Sequence, residues 1–117
     1  MVISQGEIWW SDVDAAAGSE PGYRRPVVVV QGDPFNRSDI ATVVCVALTS
    51  NLRWADAPGN VALTTRATGL PKDSVANVSQ VVTLDRTALN ERVGKLSRAK
   101  LDLILAGIDV VLDRVSG

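Results

Sequence analysis

The chain has 117 residues, the size of one compact domain, and its 46% hydrophobic and 21% charged residues supply a core and exclude wholesale disorder. Its formal net charge of −1 lacks the basic excess of many nucleic-acid binders, yet the charge is uneven: residues 1–23 hold Glu7, Asp12, Asp14 and Glu20 with no Lys or Arg, whereas residues 24–72 hold six basic groups against three acidic ones. Histidine is absent and Cys45 is the single cysteine, which excludes Ser–His and Cys–His hydrolases, histidine zinc enzymes, internal disulfides and multi-cysteine zinc sites.

Met1 to Glu7 has neither a basic start nor an apolar signal core, and no apolar run reaches the length of a membrane span, so a cytoplasmic chain with no membrane partner is expected. Glu7 to Val13 reads as a strand, with Ile8 and Trp10 on one face by the period of two. Asp14 to Tyr23, rich in Ala and Gly, reads as a loop. Arg25 to Gln31 contains four consecutive valines, a pattern for a strand buried on both faces, and Gly32-Asp33-Pro34 ends it. Ala41 to Leu48 is a second Val-rich strand, and Thr49-Ser50-Asn51 at its end leaves hydroxyls where a site can form. Arg53 and Trp54 follow as a basic–aromatic pair in a loop, where a ring can pack, cover an interface or stack on an unpaired base.

Asn60 to Thr64, Ser74 to Val78 and Gln80 to Leu84 read as three further short strands, the first two separated by Gly69-Leu70-Pro71. The period then changes. Ser97 is placed to cap a helix from Arg98 to about Leu112, with Leu101, Ile104, Leu105, Ile108, Val111 and Leu112 as one apolar stripe. Gly107 inside that helix marks a close approach to another backbone. One mainly β domain spanning 1–117, a small antiparallel barrel or sandwich closed by a C-terminal helix, is expected.

No metal-ligand cluster, phosphate-binding glycine loop or nucleophile elbow occurs, so no cofactor or metal is expected. The motifs that remain are Gly6-Glu7-Ile8-Trp9-Trp10, Gly18-Ser19-Glu20 spaced four residues before Arg25-Pro26, Val44 to Thr49, Lys72-Asp73-Ser74-Val75, and Ser79-Gln80-Val81-Val82-Thr83-Leu84. In this order they resemble the MazF/PemK/Kid family of toxin endoribonucleases along nearly the whole chain.

The resemblance implies an SH3-like β-barrel that forms a homodimer, cuts single-stranded RNA at short sequences without a metal, and is inhibited by a cognate antitoxin. It implies attack of the 2′-hydroxyl on the adjacent phosphate, leaving a 2′,3′-cyclic phosphate and a 5′-hydroxyl. Arg25 is the leading catalytic candidate, because its planar fork places two donors on phosphate oxygens as charge builds. Thr49 would bond the phosphate or position the 2′-hydroxyl, and Glu20 would act as base or orient Arg25. Ser19, Arg24, Ser50, Arg53, Ser79 and Gln80 are candidate RNA contacts through phosphate attraction or base-edge hydrogen bonds. Where Kid-like members carry an Arg and an Asp around the motif's Gln, this chain has Asn77 and Ser79, which removes a carboxylate from that place. A second reading keeps the fold without the chemistry: a binding toxin similar to the CcdB gyrase inhibitors. A third, weaker one is an RNA- or protein-binding module without activity.

Overall fold

The computed structural model describes residues 2–12 and 24–114; the expected loop Asp14 to Tyr23 lies outside them. Six strands form one antiparallel sheet: β1 (Glu7–Asp12), β2 (Arg24–Val29), β3 (Thr42–Thr49), β4 (Val61–Leu63), β5 (Ser74–Asp85) and β6 (Leu89–Lys95). Their spatial order is β4-β5-β3-β2-β1-β6. The valine-rich β2 and β3 are central, and Val27, Val28 and Val29 are fully buried, as expected for a strand covered on both faces.

The two segments expected as separate strands, Ser74 to Val78 and Gln80 to Leu84, are one strand, β5. Val46 pairs with Val81 and Leu48 with Ala76, so β5 advances five residues where β3 advances two. The surplus at Asn77–Gln80 is a bulge that bends β5 and lets the sheet curl. Side chains hold it: Asn60 Oδ1 accepts from Val78 N at 2.9 Å, and Ser79 Oγ donates to Asn77 Oδ1 at 2.9 Å. β6 was not legible in the sequence. Its residues include Glu91, Arg92 and Lys95 and show no apolar alternation, because among the described residues it is an edge strand paired with β1 alone and exposes much of its length.

The curled sheet is a half-barrel with two cores. Ile8, Val28, Val46, Leu48, Val78 and Ile104 share one cluster, and Trp9, Val27, Val29, Val43 and Cys45 share the other. Among the described residues β4 and β6, the two edges, are not paired with each other; the short helix α2 (Thr65–Thr68) packs against both. The approach is close enough that a side chain at Gly94 would meet the Thr68 carbonyl oxygen at 2.7 Å. Another single-turn helix, α1 (Asp33–Asn36), follows β2.

The C-terminal helix, Arg98–Val111, forms where expected, with Ser97 Oγ accepting from Lys100 N at 3.2 Å. Leu101 and Ile104 are buried and Leu105 and Ile108 pack on the same core. Val111 and Leu112, expected in the stripe, are instead exposed: the helix ends at Val111, and Ile108 is the last of its residues packed on the core cluster. Gly107 does mark a close approach: a side chain there would drive into the Gly59 carbonyl oxygen.

Candidate active site

The start of β2, the end of β3 and the segment following α2 surround a cleft of about 410 Å³. Trp10, Arg24, Arg25, Pro26, Leu48, Thr49, Ser50, Lys72 and Ser74 are among its lining residues. Alternation along β1 explains part of this: Ile8 and Trp10 share the inward face, and Trp10 stands opposite Pro26 in the pairing of β1 with β2. Trp9 points to the other core, where its indole N–H donates to Glu7 Oε1 at 3.2 Å.

Arg25 lies one residue inside β2, opposite Ser11. The Ser11 side chain is fully buried and its hydroxyl donates to the Arg25 carbonyl oxygen at 2.9 Å, tying the arginine's backbone to β1. Arg24 is exposed; its guanidinium lies 5.1 Å from the centroid of the Trp10 ring, and its Nη2 is 3.3 Å from Glu91 Oε1. Thr49 Oγ1 accepts from Asn51 N at 3.1 Å, which leaves its own O–H available as a donor. Across the cleft, Ser74 Oγ donates to the Lys72 carbonyl oxygen at 3.2 Å, and the adjacent Asp73 carboxylate accepts from Thr65 N at 3.0 Å.

The lining therefore brings Arg24, Arg25 and Lys72 together with two hydroxyl groups at the end of β3, and no carboxylate lines it among the described residues. Such a wall attracts a polyanion although the net charge is slightly negative, because local charge dominates within roughly 10 Å. An oxyanion held there would meet a planar guanidinium, an ammonium and hydroxyl donors.

Of the residues singled out from sequence, Arg24, Arg25, Thr49 and Ser50 meet in this cleft. Glu20 and Ser19 lie outside the described residues. Arg53 lines a separate pocket of about 280 Å³ with Asn51 and Trp54. Ser79 and Gln80 are exposed on the β5 bulge, away from the cleft lining. Trp10, Lys72 and Ser74 were not singled out as contacts; Lys72 and Ser74 sit in a quoted motif, and Trp10 was legible from its alternation with Ile8. Cys45 is buried, and desolvation pushes its thiol up to about 12, which suppresses the reactive thiolate. Among the described residues, no three His, Cys, Asp or Glu side chains gather as a metal-ligand set.

Residues 4–112 match the model of a family described as PemK-like, MazF-like toxin of type II toxin-antitoxin system. The chain is 47% identical over 113 residues to Endoribonuclease MazF6 of Mycobacterium tuberculosis, covering 97% of this chain and 99% of that one. It is 29% identical over 112 residues to Endoribonuclease EndoA of Bacillus subtilis, covering 96% of each. In fold it superposes with a TM-score of 0.79 on a mycobacterial endoribonuclease in complex with its cognate antitoxin, at 22% identity over 98% of this chain and 99% of that one. A MazE–MazF complex from Deinococcus radiodurans gives a TM-score of 0.80, at 22% identity over 98% of this chain and 99% of that one. With a family model spanning nearly the whole chain and relatives matching end to end, this chain belongs to the PemK/MazF family of toxins of type II toxin–antitoxin systems.

Proposed function

We propose that this endoribonuclease toxin binds single-stranded RNA in the cleft bounded by the start of β2, the end of β3 and the segment following α2, and cleaves it there without a metal. The observation that carries the reading is the meeting of Arg25 and Thr49, distant in sequence, in one cleft lined also by Arg24 and Lys72. The 2′-oxygen attacks the adjacent phosphorus as it loses its proton, the bond from phosphorus to the 5′-oxygen breaks, and that oxygen leaves with a proton as a 5′-hydroxyl. Arg25 stabilises the charge that builds on the phosphoryl oxygens, and Thr49 donates to the phosphate or holds the 2′-hydroxyl. Glu20 serves as the base or orients Arg25.

Lys72 and Arg24 attract the flanking phosphates, which positions the strand without reading its sequence. Ser19, Ser50, Arg53, Ser79 and Gln80 make further contacts to the RNA. The cognate antitoxin of the type II pair inhibits the toxin by competing for the same groove. The toxin acts in the cytoplasm as a homodimer, to which the exposed Leu103 and Val110 of the C-terminal helix offer apolar surface.

The test is cleavage of a long single-stranded RNA in EDTA, with the fragment ends mapped chemically. Discrete cuts ending in cyclic phosphate, lost in Arg25→Ala, are expected. Cuts that persist in Arg25→Ala overturn its assignment, and cuts that need a divalent ion overturn the metal-free route.

A further inference from the structure

We infer that the pocket formed by Asn51, Arg53 and Trp54 is a second subsite, which takes one unpaired nucleobase of the RNA strand beside the nucleotides held in the cleft. The inference rests on the proposed RNA-binding role of the main cleft and assigns a role to a pocket outside it. The pocket has about 280 Å³ of space. Trp54 keeps half of its surface exposed, an uncommon state for an indole, and Arg53 supplies a cation at the same rim.

The tryptophan is presented by a rigid turn. Leu52–Asp56 is a 3-10 turn in which Asn51 Oδ1 accepts from Arg53 N at 3.2 Å. The Trp54 carbonyl oxygen accepts from Asn60 Nδ2 at 2.9 Å, while Asn60 Oδ1 accepts from Val78 N on β5 at 2.9 Å. Asn60 thus ties the turn to the central sheet, so the ring platform loses little freedom when a ligand arrives.

Continuity with the main cleft identifies the occupant. Ser50 lines the cleft and Asn51, the next residue, lines the pocket, so a single peptide bond joins the two linings and their Cα atoms are about 3.8 Å apart. In this inference an RNA strand leaving the cleft past Ser50 runs on to the Trp54 ring. Every base has a π-face that stacks on an indole, while Arg53 faces the accompanying phosphate. The Asn51 amide adds a donor at the rim, but its Oδ1 is already occupied by the turn.

The test uses two readouts on Trp54→Ala and Trp54→Phe, with Tm and light scattering as controls. Cleavage of an oligonucleotide containing one cut site is measured with each flanking nucleotide made abasic in turn. Binding is measured by fluorescence anisotropy with the 2′-deoxy strand of the same base sequence, which lacks the attacking hydroxyl. Trp54→Ala is expected to weaken binding and raise KM about 5- to 150-fold with kcat little changed, and Trp54→Phe to retain most of the affinity. One abasic position should reproduce the loss in the unmodified protein and have no further effect in Trp54→Ala.

Wild-type affinity and KM in Trp54→Ala overturn the subsite, as do abasic effects that add to the mutation at every position. Conversion of a dimer to a monomer by Trp54→Ala also overturns it, assigning the ring to contact between copies. If the unmodified protein cleaves no RNA, the ribonuclease reading fails on its own, and the deoxy-strand binding still decides the subsite.

Discussion

The hydroxyl of Ser11 donates to the carbonyl oxygen of Arg25 at 2.9 Å, joining a fully buried side chain of β1 to the backbone of the residue assigned to the reacting phosphate. Ser11→Ala should lower stability by about 1–2 kcal/mol, because a buried hydrogen bond within the sheet is lost. It should also lower kcat by up to about tenfold with a smaller change in KM, since a shift of the Arg25 backbone matters most where alignment is tightest. Chemical denaturation paired with steady-state cleavage separates the two effects; an unchanged kcat with lowered stability would remove Ser11 from the positioning of Arg25.

Arg25→Ala should lower kcat about 10²- to 10³-fold, the usual cost of deleting a preorganised donor to a developing oxyanion. Its Tm should move little, since Arg25 is only half-buried at the start of its strand. Arg25→Lys keeps the charge but not the fork, and should fall between the two. Equal rates for the Lys and Ala variants would show that a positive charge without the planar fork contributes nothing to the reaction.

Glu7 binds β1 to β6. Its Oε2 lies 2.7 Å from Arg92 Nε, and its Oε1 accepts from Ser4 N at 2.8 Å and from the Trp9 indole. Glu7→Ala should cost about 2–3 kcal/mol, near or below the low end for a buried pair because Arg92 remains half-exposed. Glu7→Gln keeps the acceptor and should cost about 1 kcal/mol. Urea denaturation gives both values, and equal losses in the two variants would mean that the ion pair, not the acceptor oxygen, is what matters.

Helix propensity alone makes Gly107→Ala stabilising by about 1 kcal/mol. The backbone of Gly59 reverses the sign, because the new methyl group has no room beside its carbonyl oxygen. A loss of about 1–3 kcal/mol is expected. A rise in Tm would show that the helix can shift away from Gly59 at little cost.

Asp33 carries a pH dependence. Its carboxylate accepts from Gln5 N at 2.7 Å and from Asn36 Nδ2 at 3.1 Å, and the backbone bond first, then the side-chain bond, hold its pKa below the ordinary value of 3.8. A group depressed in the folded state adds stability that is complete above its unfolded pKa and is lost as pH falls through the folded one. Stability should therefore decline below about pH 4, and Asp33→Ala should flatten that decline while lowering stability at pH 7 by about 1 kcal/mol. Thermal melts from pH 2.5 to 7 test this; parallel curves would assign the acid sensitivity to other carboxylates.

Local chemistry made much of this protein legible in its sequence. The valines of β2 and β3 announce central strands because branched side chains suit a surface buried on both sides, and Ser97 announces the helix because its oxygen caps a free N–H. The ordered motifs carried the family resemblance, and with it Arg25 and Thr49. Only the tertiary structure decided how the remaining pieces meet. β6 owes its existence to the exposed edge of β1 rather than to its own pattern, and the β5 bulge turns two expected strands into one bent strand. Lys72 and Trp10 enter the cleft, Ser79 and Gln80 stay on the bulge, and Trp54 lines a pocket of its own because side-chain direction follows pairing register and sheet curvature. Both are set by contacts between segments far apart in the chain, whose energies no local window of residues contains.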